Sequence, residues 1–242
     1  MKLILQEVSK SFPGKEVLEG INYTFEQNCL YALLGRNGSG KTTLFNVISG
    51  QIRRDRGEIL LEDGGERRPL TSSDVFMMVA EPELPEFLTG YEFLKFFIEA
   101  NADRIQEPAS IEDYLAQVTL DRADALRLIQ DYSTGMKNKL QMLMFLILRP
   151  KIILMDEPLT SLDVVVQLEM KKIIRSIKED HIIIFSTHIL QLAQDLCDRI
   201  ILLHGKNLHD VEEKMAREEG FEDKIIALLQ EEKSQEDGHD GE

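Results

Sequence analysis

Four stretches of this sequence carry side chains whose types and spacing can do chemistry. Gly35-Arg36-Asn37-Gly38-Ser39-Gly40-Lys41-Thr42 has the spacing G-x4-G-K-[ST]. It can wrap an anion in backbone N–H groups, because glycine-rich turns let the chain close that tightly. Lys41 supplies a point charge for β- and γ-phosphates and Thr42 a hydroxyl for Mg²⁺, with Asn37, Ser39 and Thr43 beside them. In IILMDE, 152–157, an apolar run ends in two carboxylates. Asp156 can hold Mg²⁺ through water, which leaves Glu157 to orient or deprotonate an attacking water. His188 follows IIIFST and stands just past a strand end, where ligands bind in open α/β sheets. YSTGMKNKL, 132–140, sets Ser133, Thr134 and Gly135 at the start of a helical run, whose unpaired N–H groups and dipole form a second anion site.

Taken singly, each stretch has a plainer reading: a turn, an acidic strand cap, a solvated histidine, a helix N-cap. The glycine loop changes the balance. A chance match to it in a chain this long is roughly one in a hundred, and here it follows a buried strand and opens a helix. Its company makes the carboxylate pair a candidate metal holder and base for nucleoside triphosphate hydrolysis. The second anion site is surplus for one nucleotide on one chain unless it serves another molecule.

The elements that must position these residues alternate. Short β-like runs broken by Pro13, Gly14 and Gly20 open the chain, and the buried strand 29–34 feeds the glycine loop. A helix over 42–48 follows, then strands near 58–61 and 75–79. The stretch 81–148 is helical, with Pro82, Pro85 and Pro108 as punctuation. Strands are expected at 152–155, 182–185 and 199–203, with a helix over about 165–178. This is an α/β pattern with a largely parallel sheet and an inserted helical subdomain at about 86–148.

The 242 residues are 43% hydrophobic and 29% charged, enough apolar content to bury a core. The longest apolar run, 142–148, is far short of the ~20 residues of a membrane helix. The start, MKLILQEVSKSF, turns polar too soon for a secretory signal. Cys29 and Cys197 show no CxxC spacing, and a reduced, cytosolic setting is expected. The net charge of −15 disfavours nucleic acid as a partner. Residues 211–242 hold 12 acidic and 4 basic residues, so this acidic extension carries −8 and residues 1–210 only −7. Phe221, Ile225, Ile226, Leu228 and Leu229 give it one short amphipathic stretch, and its last dozen residues are expected to be disordered.

At this point the chain resembles the nucleotide-binding subunits of ATP-binding cassette transporters, over residues 1 to about 210. GRNGSGKT is similar to the family's Walker A, ILMDE to its Walker B, SLD at 161–163 to its D-loop and His188 to its switch histidine. YSTGMKNKL occupies the place of the signature, usually LSGGQ, in a variant found among two-component exporters. The resemblance implies a P-loop NTPase (RecA-like) core with a small N-terminal antiparallel β region. It implies ATP and Mg²⁺ as ligands, Phe12 stacked on adenine where tyrosine is usual, and Glu81 in place of the Q-loop glutamine near the metal. Catalysis would rest on Glu157, His188 and Lys41. Thr134 and Met136 depart from the usual glycine and glutamine, and the methionine cannot make a glutamine's hydrogen bonds.

In the family, two such domains pair head to tail, so Ser133 and Gly135 would complete the ATP site of the opposite protomer, in a homodimer or heterodimer. Transmembrane permease subunits would be separate chains, with this subunit peripheral on the cytoplasmic face. Leu84, Phe87 and Leu88 are candidates for the docking surface, whereas Phe93, Phe96 and Phe97 have near-helical spacing and read as core. The alternative is a soluble ATPase of the same superfamily with a regulatory or scaffold role and no membrane partner. The signature variant leans towards export.

Overall fold

Alternation of side chains along the central strands explains the architecture of the computed structural model, which describes residues 1–160, 162–211 and 225. β3 (Cys29–Leu34) sends Leu30, Ala32 and Leu34 into one apolar cluster and Tyr31 and Leu33 into another. β7 (Ile152–Asp156) does the same with Ile153 and Met155 against Ile152 and Leu154. Strands covered on both faces must be apolar throughout. That is why CLYALL and IILM show no polar alternation.

These strands belong to a six-stranded sheet of order β10-β9-β3-β8-β7-β6. β6 (Val75–Met78), β7, β8 (Ile182–Thr187), β3 and β9 (Arg199–His204) are parallel, and β10 (Asn207–Val211) closes the edge antiparallel to β9. A second sheet, of order β2-β1-β4-β5, is antiparallel throughout. It joins β1 (Lys2–Phe12), β2 (Lys15–Glu26), β4 (Arg56–Asp63) and β5 (Glu66–Pro69). This sheet and α1 (Lys41–Ile48) share an apolar cluster with one face of the larger sheet. The opposite face is packed by α5 (Thr134–Leu148), α6 (Val164–Ile177) and α7 (Leu190–Leu196).

Between β6 and β7 the chain forms α2 (Gly90–Ala100), α3 (Ile111–Gln117), α4 (Arg122–Ala125) and α5. Capping boxes, Thr89 with Glu92 and Ser110 with Asp113, fix the starts of α2 and α3 by satisfying N–H groups that have no helical partner. Val118, Leu120 and Ile129 join α5 and the sheet face in one core.

Several expectations need correction. Gly20 does not break a strand: β2 runs through it, and its positive φ of 57° falls where the register with β1 slips between Val8 and Lys10. A glycine at a bulge keeps the strand going. Phe93 is buried and Phe97 packs against the core, but Phe96 is 64% exposed, so the core stripe of α2 is narrower than its phenylalanines suggest. Strands β5 and β10 were not expected, because ERRP and NLHDV are short and polar. The acidic extension, with its amphipathic stretch, lies outside the described residues apart from Val211, which ends β10, and Ile225, which is buried in the core. Ser161 of the D-loop also lies outside them.

Asp74 anchors the start of β6, the strand that leads to Ala80 and Glu81. It accepts two bonds from the Arg68 guanidinium, at 2.6 and 2.7 Å, and one from the Thr71 N–H at 3.0 Å. Arg68, in first place, holds its carboxyl down to about 2, against about 3.9 for an ordinary aspartate. A depressed carboxyl stabilises fully above the unfolded value and loses its contribution as pH falls through the folded one. Asp74→Asn should therefore cost ~1–3 kcal/mol at neutral pH. Its urea midpoint should converge on that of the unaltered chain between about pH 4 and pH 2, as read by fluorescence or circular dichroism.

Candidate nucleotide-binding site

The carboxyl ends of β3, β8 and β7 lie side by side, with Leu34 opposite Thr187 and Asp156 opposite Ser186. The glycine loop, the two carboxylates and His188 all follow from this row of strand ends. β3 runs into the glycine loop, β7 into Asp156 and Glu157, and β8 into His188. The loop then enters α1 at Lys41 through Gly40, whose φ is 105°. A Cβ on Gly40 would come within 2.6 Å of Val17 Cγ1 on β2, so both the backbone conformation and the close approach require glycine.

A cleft of about 420 Å³ opens here, lined by Phe12, Lys15 and Val17 from the first hairpin, Asn37, Gly38 and Gly40–Thr43 from the loop, and Ala80, Asp156 and Glu157. The Lys41 side chain is buried and its ammonium donates to Gly35 O at 2.7 Å and Arg36 O at 3.0 Å. Burial pushes its pKa down, while Glu157 and Asp156 oppose that shift. A triphosphate would compete for the same donors with a full negative charge.

The Thr42 hydroxyl donates to Asp156 Oδ2 at 2.6 Å, so the two oxygens proposed for Mg²⁺ converge. A hydroxyl and one carboxylate suit Mg²⁺, which takes few protein ligands and fills its shell with water and phosphate oxygens. The donor set therefore fits the ion, whose chemistry would be to neutralise charge on the phosphates.

Asp156 and Glu157 are held by a residue that the sequence reading did not single out. Ser186 of β8 is fully buried; its hydroxyl donates to Asp156 Oδ1 and accepts from the Glu157 N–H at 3.0 Å. The signal was present in IIIFST, where a serine interrupts an apolar strand beside the carboxylates. Glu157 itself lies just past β7 with φ of 51°, an uncommon conformation for a side chain other than glycine, asparagine or aspartate. Both its carboxylate oxygens are 3.0 Å from His188 Nδ1, and Thr160 donates to Oε2 at 3.1 Å. A carboxylate only accepts, so Nδ1 carries the proton in this contact. Glu157, His188 and Thr160 thus form one hydrogen-bonded group.

The other sequence candidates fall nearby but outside the cleft. Glu81 lines a neighbouring cavity of about 780 Å³, which shares Ala80 and Glu157 with the cleft and also receives Thr134 and Lys137. Ser133 caps α5, its Oγ accepting from the Met136 N–H at 3.2 Å, and Gly135 is buried against Val166 of α6, where a Cβ would meet Cγ2 at 3.2 Å. Neither lines the cleft.

Comparison with known proteins gives the family. The sequence model of the ABC transporter family matches residues 18–160. The lantibiotic transport ATP-binding protein SrtF of Streptococcus pyogenes is 31% identical over 206 residues, 84% of this chain and 88% of its own length. The uncharacterized ABC transporter ATP-binding protein YdbJ of Bacillus subtilis (strain 168) is 28% identical over 236 residues, 96% of this chain and 76% of its own. A solved ATP-binding subunit of an ABC transporter superposes with a TM-score of 0.76 at 24% identity, covering 95% of this chain and 100% of that one. The fold is that of a P-loop NTPase, and the chain belongs to the ABC transporter family as an ATP-binding, ATP-hydrolysing subunit. Among the described residues no helix is long and apolar enough to cross a membrane.

Ser186→Ala should lower kcat for ATP by about tenfold or more, as loss of an outer hydrogen bond to a metal-holding carboxylate does. The KM should change far less, because the phosphate loop is untouched. Steady-state kinetics read the split, and an unchanged kcat would remove Ser186 from the account.

Proposed function

We propose that this subunit powers a membrane transporter, in the direction of export, by closing head to tail on a second nucleotide-binding subunit around ATP. The observation that carries this reading is a separation on one chain. The exposed N-terminus of the 15-residue helix α5, at Ser133 and Thr134, offers N–H donors and a dipole to an anion, yet the cleft formed by the phosphate loop does not include it. Pairing two chains brings these two halves together.

Within the pair, Phe12 stacks on the adenine, and Gly35, Asn37, Gly38, Ser39, Gly40, Lys41, Thr42 and Thr43 hold the phosphates. Thr42 and Asp156 hold Mg²⁺. Glu157 takes a proton from the attacking water, His188 positions that carboxylate through Nδ1, and Lys41 stabilises charge on the γ-phosphate. Ser133 and Gly135 of the opposite protomer close over the same phosphate. Ser133 uses one lone pair as the α5 cap, and its hydroxyl proton can still be given to an anion. Glu81 acts at the edge of the metal site, from the adjoining cavity.

The permease subunits are separate chains, and this subunit sits on the cytoplasmic face against them. Phe87 is 80% exposed between Glu86, whose carboxylate pairs with Lys137 of α5 at 2.9 Å, and Leu88, which packs into the core. A large apolar ring held out by an anchored segment is suited to burial by a partner. Leu84 and Leu88, beside it in sequence, are half-buried and pack against the core.

Two variants test the two surfaces. Gly135→Asp puts a side chain against Val166 and a negative charge at the anion-binding end of α5. It should bind ATP within about threefold of the unaltered chain, since the cleft is intact, and lose hydrolysis by about a hundredfold or more. Undiminished turnover would contradict a role for the signature. Phe87→Asp should leave ATP binding intact and abolish copurification with the membrane subunits; retained copurification would move the docking surface elsewhere.

A further inference from the structure

The stacking ring of Phe12 stands at the tip of the first hairpin, where Phe12 pairs with Lys15 across Pro13 and Gly14, and it is 42% exposed. An aromatic side chain so placed is a poor platform unless something fixes its orientation. The structure supplies a fixing device. Lys10, two residues earlier on the same strand, places its ammonium 5.3 Å from the centre of the Phe12 ring. That ammonium is also bound by Asp55 Oδ1 at 2.8 Å, and its side chain is only 13% exposed, unusually sheltered for a lysine on an edge hairpin. Phe12 lines the nucleotide cleft and Lys10 does not, so the cation covers the ring without entering the cleft.

Asp55 does more than neutralise the lysine. Its other oxygen accepts from the Ser11 N–H at 2.7 Å, and its own N–H donates to Ser9 O at 2.9 Å. The three contacts fall on Ser9, Lys10 and Ser11, where β1 has lost regular register with both its neighbours. Shifted register at a bulge disrupts the ladder locally and holds the residue after it less firmly. One loop residue between α1 and β4 therefore reinforces this irregular part of β1 and holds the lysine that faces the Phe12 ring.

We propose that Lys10 and Asp55 are positioning residues for nucleobase recognition: Asp55 fixes Lys10 and the backbone beside it, and Lys10 holds the Phe12 ring flat to the incoming base. The cation–π attraction restricts the ring and favours stacking of an electron-rich purine on it. Neither residue touches the nucleotide. This inference rests on the proposed stacking role of Phe12, and the test separates the two.

The experiment measures binding of ATP and of inorganic tripolyphosphate, both with Mg²⁺, by calorimetry on the full chain carrying Phe12→Ala, Lys10→Met, Lys10→Arg, or Phe12→Ala with Lys10→Met. Lys10→Met should weaken ATP about two- to fivefold, the range of an exposed cation–π contact. It should leave tripolyphosphate unchanged, because that ligand has no base to stack. Lys10→Arg should restore ATP binding, and Lys10→Met should add nothing in the Phe12→Ala background. Asp55→Asn should follow Lys10→Met. If Phe12→Ala weakens ATP and Lys10→Met does not, the positioning role is overturned while stacking stands. If Lys10→Met weakens tripolyphosphate as much as ATP, the lysine acts on the phosphates by charge and the inference fails. If Phe12→Ala leaves ATP binding unaltered, stacking itself falls and the inference with it.

Discussion

The hydrogen bond between Thr42 and Asp156, 2.6 Å long and spanning 114 residues of sequence, is the constraint on which the site depends. It forms only if the strand before the phosphate loop and the strand ending in the carboxylates finish at the same level. β8 lies between them and sets that level, pairing with both through parallel ladders. Ser186 then ties Asp156 and the backbone of Glu157 to β8 from the inside. Ligand binding at the carboxyl ends of a parallel sheet is a general property of such folds. Here the sheet also sets the spacing between Thr42, Asp156 and Glu157.

A second level of organisation lies in the helical insertion. Its longest member, α5, is apolar enough to bury Met142, Leu143, Phe145 and Ile147 against the sheet, yet it begins in an exposed Ser133 and Thr134. One end of the helix is fixed by the core and the other is offered outward. Lys137 and Gly135 link that outer end to Glu86, next to the exposed Phe87, and to Val166, in the helix that follows the carboxylates. Movement of the α5 tip would therefore be felt at both places, which is how the proposed pairing around ATP would be coupled to the proposed docking surface.

Much of the central sheet was legible in the sequence because strands covered on both faces must be apolar throughout, and the glycine loop and DE pair are bound by chemistry to particular spacings. Phe12, Thr42, Asp156 and Glu157 converge on one cleft, as their motifs suggested. What was not legible depended on partners distant in sequence. Ser186 looks like an ordinary strand serine until Asp156 is placed beside it, and Gly20 looks like a break until the β1 ladder shows a bulge. Phe96 matched a helical stripe, but the insertion is only thick enough to cover one side of α2, so Phe93 is buried and Phe96 is not. Glu81 occupies its motif position in sequence and the adjoining cavity in space, a distinction that spacing alone does not carry.

The central claim is that one nucleotide is enclosed by two subunits. Glu157→Gln removes the base without altering the phosphate loop or the α5 tip, so it should hold ATP in the closed pair. The most direct measurement is the sedimentation mass of this variant with ATP and Mg²⁺, alone and with the nucleotide-binding counterpart of its transporter. The account predicts a doubled mass with ATP, in one of those two mixtures, that returns to that of a single chain with ADP. A single-chain mass at saturating ATP in both mixtures would contradict it.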